Sequence, residues 1–327
     1  MIDILAGAPE GTFCLLPPTQ KLAKSSIPNQ TERRNQGILS YAQGNGDGSK
    51  LPSMQARLKN TLKSVLNVFG LGVAVRDFHR QTKYFLDSTA RHRNARFNTQ
   101  NALDGLPMPP PKLIYMVTGQ FDAEAFYQNG VIGATCIQDI LSRHGLELNS
   151  FAKMLDFGCG CGRVLRQWRS LNGQEIYGID YNPRLIDWCQ LNLSFAQFAV
   201  NRTGIPLGFP DGTLDFIYSI SVFTHLTESS QRFWMDELMR VLRPGGHLLF
   251  TVHGLSRLDE LSTGDREMFE AGKPIIVGSQ YSGTNFCGTY HPQDYVRNVL
   301  CKEWKFVAFE PGAAKDTRQD MFLMQKR

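Results

Sequence analysis

The sequence predicts an α/β fold: a doubly wound, mostly parallel sheet with helices on both faces. Three observations support this. Strand-like and helix-like segments alternate from about residue 150 onward, a glycine-rich turn follows the first strand, and carboxylates lie at the ends of the first two strands. Such alternation is typical of parallel strands joined by crossover helices. At 327 residues, the chain is long enough for a full core and an additional segment.

The chain is predicted to have three parts. Residues 1–50 mix Pro, Gly, Asn, Gln and Ser with little periodicity, so we expect a disordered or loosely attached segment. Residues 51–110 are expected to form a basic helical extension that closes with a proline-rich strap, in which no helix can continue, at residues 106–113. Residues 111–327 form the main domain.

Within the main domain, hydrophobic runs and turn signals define the order of elements. The first helical segment, residues 122–145, is expected to form one or two helices that stop at Gly145. Candidate strands are residues 153–157, 175–180, 195–199, 214–220 and 246–252. Candidate helices between them are residues 162–171, 182–193 and 229–242, the second with Asn182 as N-cap.

Positive charge is concentrated in one segment. Residues 51–100 carry nine Lys or Arg against two Asp, whereas the chain as a whole has a net charge of +5. The segment is expected to be helical, with an interruption near Gly70 and Gly72. Three interpretations remain open for residues 54–96: a solvated face packed on the main domain, which is the default, a peripheral membrane contact, or a polyanion contact. Nucleic acid is not the expected partner, because aromatic residues are not interleaved with the basic ones in a known nucleic-acid fold.

The expected compartment follows from the cysteines and from hydropathy. Seven cysteines are scattered without a disulfide framework, which favours reduced thiols. No apolar run of about 18 residues is present, so we expect no spanning helix. The amino terminus has no basic flank before its apolar start, so no signal peptide is expected. We therefore expect a cytoplasmic protein.

The stretch MLDFGCGCGRV, residues 154–164, carries the predicted ligand site. Gly158, Gly160 and Gly162 are spaced as G-x-G-x-G, which misses the G-x-G-x-x-G fingerprint of dinucleotide enzymes. Asp156 at the strand tip would repel a pyrophosphate but attract an ammonium group. The loop therefore favours S-adenosylmethionine over NAD, while Asp180, at the end of the second strand, suits the ribose of either ligand.

Four motifs in order resemble the class I S-adenosylmethionine-dependent methyltransferases. They are LDFGCGCGR, GIDYNP, PLGFPDGTLDFIYSISVFTHL and ELMRVLRPGGHLLFTVHG. The resemblance covers roughly residues 110 to 327. It implies a Rossmann-like, seven-stranded, mostly parallel sheet whose last strand is antiparallel, with the tail WKFVAFEPG and QDMFLMQKR as the final hairpin.

The resemblance also implies roles for individual residues. Asp156 and the loop, including Cys159, would hold the methionine end of the cofactor and Asp180 its ribose. Asn201 would meet the adenine amine, in place of the commoner Asp. Ser221 and Phe223 would border the methyl group.

The acceptor side of the predicted site is defined by histidines. His225 and His253 stand near the carboxyl edge of the sheet, where a general base would serve a hydroxyl acceptor. His225 could instead cap or pack the next helix. Tyr290 and His291 are placed on a flap over the same edge. No metal is expected, because Cys159 and Cys161 lack a second Cys or His pair at ligand spacing.

The predicted function is methyl transfer from S-adenosylmethionine to a small-molecule or saccharide acceptor, at a hydroxyl. Two alternatives remain: an NAD-dependent oxidoreductase, and a non-catalytic scaffold that binds S-adenosylmethionine. Nothing in the sequence indicates the acceptor's identity or the oligomeric state.

Overall fold

The computed structural model of the chain describes residues 71–99 and 104–327. The predictions for residues 1–50, and for the apolar positions between residues 54 and 70, lie outside these residues. The helices that precede the sheet are α1 (Leu71–Leu86), α2 (Ser88–Thr99), α3 (Pro111–Thr118) and α4 (Ala123–Arg143). Helix α1 begins at Leu71 and includes Gly72, whereas Gly70 lies outside the described residues, so the predicted interruption near Gly70 and Gly72 stays a prediction.

Two of these helices begin as local chemistry dictates. Helix α3 starts at Pro111, so the last residues of the predicted strap are helical; proline at the first helical position needs no N–H partner. Helix α4 is a single helix in which the N-cap Asp122 accepts a hydrogen bond from the Ala125 N–H at 2.9 Å. Gly145, with a φ of 70°, follows its end.

Buried Asn94 connects α2 to the beginning of α4. Its side-chain amide donates to the Tyr84 hydroxyl at 3.0 Å and to the Phe121 carbonyl, and its Oδ1 accepts from the Ala123 N–H at 3.0 Å. All described residues belong to one compact unit. The proposed division at residue 110 stays a prediction. No helix in the described ranges is long and apolar enough to cross a membrane.

The first five strands match the sequence prediction closely. They are β1 (Lys153–Phe157), β2 (Glu175–Asp180), β3 (Gln197–Val200), β4 (Leu214–Ser219) and β5 (Leu242–Val252). The helices between them are α5 (Pro183–Asn192) and α6 (Glu228–Val241). The predicted N-cap is confirmed, since Asn182 Oδ1 accepts from the Arg184 N–H at 3.1 Å.

The predicted helix over residues 162–171 is wrong. Only a short 3₁₀ turn forms there, Leu165–Trp168. The Arg166 side chain is fully buried and forms an ion pair with Asp104 at 2.6 Å, with further bonds to the Leu106 and Pro107 carbonyls. We infer that this tertiary contact overrides the local preference, because breaking such a buried pair costs about 3–5 kcal/mol.

An insertion follows β5 before the sheet is completed. It contains helix α7 (Thr263–Glu270) and a small antiparallel sheet of β6 (Ile275–Val277) and β7 (Gly288–Tyr290). Helix α8 (Gln293–Tyr295) continues as a π-helical turn, Val296–Leu300. The tail forms the predicted hairpin of β8 (Lys305–Ala314) and β9 (Gln319–Gln325).

The main sheet has seven strands in the order β3-β2-β1-β4-β5-β9-β8. Strands β1 to β5 are parallel, whereas β9 runs antiparallel to both β5 and β8. The predicted Rossmann-like fold with an antiparallel last strand is therefore confirmed. Strand order reverses between β1 and β4, and ligands of doubly wound sheets bind at the carboxyl ends of strands at such a reversal.

Candidate active site

A cavity of about 1200 Å³ opens at the carboxyl ends of the parallel strands. It is large enough for a cofactor and an acceptor together. The sequence-predicted residues that line it are Asp156, Gly158, Cys159, Gly160, Asp180, Asn201, Ser221, His225 and His253. Gly162 does not line the cavity. The fold therefore brings nine of the ten predicted site residues to one space.

Asp156 is buried at the end of β1 and belongs to a hydrogen-bonded chain. Trp168 Nε1 donates to the Tyr218 hydroxyl at 2.9 Å, and that hydroxyl donates to Asp156 Oδ2 at 3.0 Å. Burial raises the pKa of Asp156 to about 7; the Tyr218 hydrogen bond and Arg163 oppose the rise and Asp180 adds to it. A cationic group entering the cavity would stabilise the ionised form.

Asp180 ties the glycine loop to the end of β2. Its Oδ2 accepts from the Gly160 N–H and its Oδ1 from the Asn182 N–H, both at 2.9 Å. Burial raises the pKa of Asp180, and these backbone hydrogen bonds oppose the rise. A carboxylate has about four acceptor positions, so both oxygens keep capacity for ligand hydroxyls.

The glycine loop uses its N–H groups inside the protein. The Gly158 and Cys159 N–H groups both donate to the Ile179 carbonyl, at 2.8 and 2.9 Å, and Gly162 donates to the Cys159 carbonyl at 2.9 Å. Anion-binding loops instead leave such donors pointing at the ligand. The arrangement therefore suits a ligand with an ammonium group better than a pyrophosphate.

Glycine is required at the loop by both backbone and packing. Gly158, Gly160 and Gly162 have φ values of 83°, 57° and 76°. A Cβ at Gly158 would lie 2.2 Å from Val222 Cγ2, and one at Gly162 would lie 2.5 Å from Leu193 Cδ1. Gly162 does not line the cavity, but its left-handed backbone and the close approach of Leu193 both require glycine at this position.

The loop cysteines are buried thiols. Burial raises the pKa of Cys159 and of Cys161 well above the usual thiol value. The Cys159 and Cys189 sulfurs both lie 3.6 Å from the Gly160 carbonyl oxygen. These neutral thiols therefore fill space and donate weakly to the loop. Within residues 71–99 and 104–327, no group of three His, Cys, Asp or Glu side chains could hold a metal ion.

Asn201, the residue predicted to contact the adenine amine, follows β3. Its N–H donates to the Asp180 carbonyl at 3.1 Å, and its Oδ1 is buried with no hydrogen-bond partner among the described residues. A buried acceptor normally has a partner. An unused oxygen beside the cavity fits an amine donor, so the residues at this end are compatible with the adenosine of S-adenosylmethionine.

Ser221 is held by a polar network at the end of β4. Its φ of 61° is left-handed, which is uncommon for serine. Its N–H donates to Thr251 Oγ1 at 2.8 Å, its Oγ accepts from Gln319 Nε2 at 2.8 Å, and Thr251 donates to Gln319 Oε1 at 2.6 Å. This network fixes the floor of the cavity between β4, β5 and β9.

One ring nitrogen of His225 bonds to the protein, and the other has no hydrogen-bond partner among the described residues. The Nδ1–H donates to the Cys287 carbonyl at 2.7 Å, because a carbonyl can only accept. That bond leaves Nε2 with a lone pair in the neutral ring. Burial lowers the pKa of His225; the Cys287 hydrogen bond opposes this and Arg257 adds to it. His225 therefore stays neutral at ordinary pH.

His253 lies close by in a less accessible position. Its ring centroid is 6.2 Å from that of His225, and its Nδ1 is buried without a hydrogen-bond partner in the described part of the chain. Burial, with smaller effects of Arg257, His225 and His291, lowers the pKa of His253 to about 2. Such a weak base is a poorer proton acceptor than His225.

Three further predicted residues do not reach the site. Phe223 is fully buried and packs its ring against Phe250 at 5.2 Å, so it does not border the cavity. His291 is buried against Gln231, with Nε2 3.1 Å from Oε1, and not on a flap. The Tyr290 hydroxyl donates to Glu260 at 3.1 Å outside the cavity lining.

Helix α3 forms part of the cavity wall, which the sequence did not predict. A Cβ at Gly160 would lie 2.8 Å from Val117, so α3 lies directly against the loop. Tyr115 of α3 stacks on Phe121, with ring centroids 4.3 Å apart, and Asn285 donates to the Met116 carbonyl at 3.2 Å. No periodic signal could have linked residues 169 positions apart.

A buried ion pair was also missed. Arg163, next to the loop, bonds Asp316 in the β8–β9 turn at 2.6 Å and the Asn129 carbonyl at 3.1 Å. Both charged side chains line the cavity, and Asp316 Oδ1 is buried without a partner among the described residues. The pair fixes the tail hairpin against the loop, which only tertiary structure could show.

Comparison with known proteins adds independent information. Residues 155–250 match a family model described as a methyltransferase domain. A sterol 24-C-methyltransferase of Schizosaccharomyces pombe is 30% identical over 141 residues, 42% of this chain and 36% of that protein. A malonyl-[acyl-carrier protein] O-methyltransferase of Serratia marcescens is 30% identical over 144 residues, 44% of this chain and 52% of that protein.

Comparison with solved structures finds similarity at low sequence identity. The S-adenosylmethionine-dependent methyltransferase of Mesorhizobium loti is 14% identical, with a TM-score of 0.45, and the match covers 58% of this chain and 98% of that one. Residues 155–250, which include strands β2 to β4 and most of β1 and β5, thus resemble a methyltransferase domain, and the strand order of the sheet agrees with the Rossmann-like fold predicted from the sequence. The chain spans about a third to a half of the two curated relatives above.

Proposed function

We propose that the chain transfers a methyl group from S-adenosylmethionine to a hydroxyl of a small-molecule or saccharide acceptor. The observation that carries this proposal is the cavity that joins two sets of groups. Asp156, Asp180 and Asn201 line one part of it, and His225, with a free Nε2, lines the same space.

The cofactor roles follow from the chemistry of each group. In this proposal Asp156 binds the ammonium of the methionine end, which stabilises its ionised form. Asp180 accepts from the ribose hydroxyls while its backbone hydrogen bonds fix its orientation. The unused Asn201 Oδ1 accepts from the adenine amine.

His225 supplies the chemistry that a hydroxyl acceptor needs. S-adenosylmethionine, when bound, provides an electrophilic methyl carbon. The neutral His225 ring holds its Nε2 lone pair ready because Nδ1–H is committed to the Cys287 carbonyl. The acceptor oxygen would bond to the methyl carbon as the methyl–sulfur bond breaks, and S-adenosylhomocysteine would leave with the bonding electrons as a neutral thioether. Nε2 would take up the hydroxyl proton, and the cavity walls would exclude competing water.

The names of the relatives do not select one acceptor. One relative is named as a sterol 24-C-methyltransferase and the other as a malonyl-[acyl-carrier protein] O-methyltransferase. Related chains therefore serve acceptors of different chemistry, at carbon and at oxygen. Only His225 supports the choice of a hydroxyl as the acceptor group.

A calorimetric titration with S-adenosylhomocysteine, beside NAD, tests the cofactor assignments. We expect binding of S-adenosylhomocysteine only, weakened at least about tenfold in Asp180→Ala because a buried acceptor of hydroxyls is lost. Asp187→Ala, an exposed carboxylate on the neighbouring α5, is the matched control and keeps full affinity. Binding of NAD in place of S-adenosylhomocysteine would support the oxidoreductase alternative.

Transfer of labelled methyl groups to a panel of sugars, lipids and aromatic alcohols tests the reaction. A product whose formation depends on His225 supports the enzyme; S-adenosylhomocysteine binding without any product from a broad panel supports the scaffold alternative.

We also propose a cytoplasmic location, supported by the free thiols of the six described cysteines.

A further inference from the structure

Helix α1 exposes large apolar side chains. Phe78, Phe85 and Leu86 have 72%, 57% and 79% of their surfaces accessible. Single exposed apolar residues are common, but three such side chains within nine positions of one helix form a patch. Phe78 and Phe85 are seven positions apart, so they lie on the same side of the helix. We call this patch the α1 face.

The opposite side of α1 already packs on the main domain. Tyr84 stacks on Phe121 with ring centroids 4.4 Å apart, and Asn94 of α2 bonds the Tyr84 hydroxyl. Arg80 lines the cavity, and its guanidinium lies 4.0 Å from where a Gly119 Cβ would be. The α1 face is therefore the outward side of a helix that is anchored on its inward side.

Exposed basic residues lie on α1 itself and on the next helix, α2. Lys83 on α1 and Arg91 on α2 are exposed. Arg93 is also exposed, and its contact with Asp122 is a long one at 3.4 Å. Exposed apolar side chains flanked by Lys and Arg are typical of helices that lie in the interface of an anionic membrane.

We propose that the α1 face docks on an anionic lipid surface. Phe78, Phe85 and Leu86 would enter the boundary between headgroups and acyl chains while Lys83 and Arg91 meet the anionic headgroups. Charge complementarity favours this occupant over a second copy of the chain, because residues 78–99 carry five Lys or Arg against one Asp, and two such segments repel each other whereas an anionic surface attracts them. Docking would also hold the cavity entrance beside Arg80 near the membrane, where an amphiphilic acceptor could enter.

Vesicle flotation with the full-length purified chain tests this proposal. The vesicles contain phosphatidylcholine alone, or phosphatidylcholine and phosphatidylglycerol in equal parts. We expect flotation with the anionic vesicles only, and weaker binding as salt rises from about 0.1 M to about 0.5 M. The double variant Phe78→Ser/Phe85→Ser should bind about 100-fold more weakly or worse, since each buried phenyl ring contributes more than about a factor of ten.

Matched variants separate the membrane from other occupants. Leu191→Ser alters a side chain of α5 that is 85% exposed, and it should float like the wild type. Unchanged binding of S-adenosylhomocysteine by the double variant shows that the chain is folded. Failure of the wild type to float with anionic vesicles, equal binding to neutral vesicles, or unchanged flotation of the double variant would overturn the proposal. So would a wild-type dimer, seen by sedimentation, that the double variant abolishes.

Discussion

The two parts of the cavity are built in different ways. Around the glycine loop, backbone N–H groups donate hydrogen bonds to β2. The Asp180 carboxylate accepts from the Gly160 N–H, and the Asp156 carboxylate accepts from the Tyr218 hydroxyl. Near His225, the buried Nδ1 atoms of His253 and His291 have no hydrogen-bond partner among the described residues, and part of the cavity wall comes from the insertion between β5 and β8. The cofactor part is thus fixed by main chain, the acceptor part by side chains from distant segments.

This difference predicts which property of the protein a substitution in each part of the cavity should change. A ligand shared by a whole family can be recognised by backbone geometry near one strand-to-helix turn. An acceptor particular to one protein needs side chains that the core does not dictate. Substitutions in the loop should therefore affect cofactor binding and stability together, whereas substitutions near His225 should affect turnover alone.

The largest effect is expected from Gly158→Ala. Its φ of 83° and a Cβ 2.2 Å from Val222 Cγ2 combine backbone strain of about 1–3 kcal/mol with a steric overlap. We expect a clear loss of thermal stability and about a 100-fold loss of S-adenosylhomocysteine affinity, because the loop must move. Gly173→Ala, with φ of 91° and nothing within 4 Å of its Cβ, is the control that carries backbone strain only. Equal behaviour of the two variants would show that the loop is not close-packed.

The next largest effect is expected from His225→Gln. Methyl transfer should fall about 100-fold or more through loss of the general base, while S-adenosylhomocysteine affinity stays unchanged. Because burial lowers the pKa of His225, the wild-type rate should decline only below pH 6.5, the ordinary histidine value. The measurement is a pH–rate profile of both proteins. The profile is recorded at saturating S-adenosylmethionine, where the titration of Asp156 does not limit the rate; a wild-type decline centred above pH 6.5 under these conditions would remove His225 from this role.

A smaller, pH-dependent effect is expected at Asp156. Its carboxyl has a pKa of about 7, and only the ionised form attracts an ammonium, so affinity for S-adenosylhomocysteine should rise with pH. Between about pH 6 and about pH 8 we expect roughly a tenfold gain by proton linkage. Calorimetry in buffers of different ionisation enthalpy should show a released proton below pH 7. Asp156→Asn should flatten this dependence; a flat wild-type profile would argue against the ammonium contact.

The smallest effect is expected from Trp168→Phe. This change removes the Nε1–H bond to the Tyr218 hydroxyl but leaves the bond from Tyr218 to Asp156. We expect about 1–2 kcal/mol lower stability in urea and at most about a twofold change in cofactor affinity. Trp188→Phe, on α5, is the control. A larger change in affinity would show that the hydrogen bonds from Trp168 through Tyr218 control the ionisation of Asp156.

The sequence was informative wherever local rules apply. Alternating hydrophobic runs located β1 and β2 to the residue, and Asn182 with Pro183 marked the start of α5. Aspartates at the ends of adjacent parallel strands had to meet at one edge of the sheet, which is why Asp156 and Asp180 were found. The helix over residues 162–171 failed because a buried pair with Asp104, 62 positions away, outweighs local propensity.

By itself, the sequence determined the parallel sheet, the ligand-binding edge and most of the residues there, since strand alternation and turn chemistry act over a few positions. Only the tertiary structure decided that α3 closes over Gly160, that Arg163 pairs with Asp316, and that His291 is buried while His225 faces the cavity. These contacts join segments far apart in the chain, and their free energy comes from burial and pairing in three dimensions, which no local pattern records.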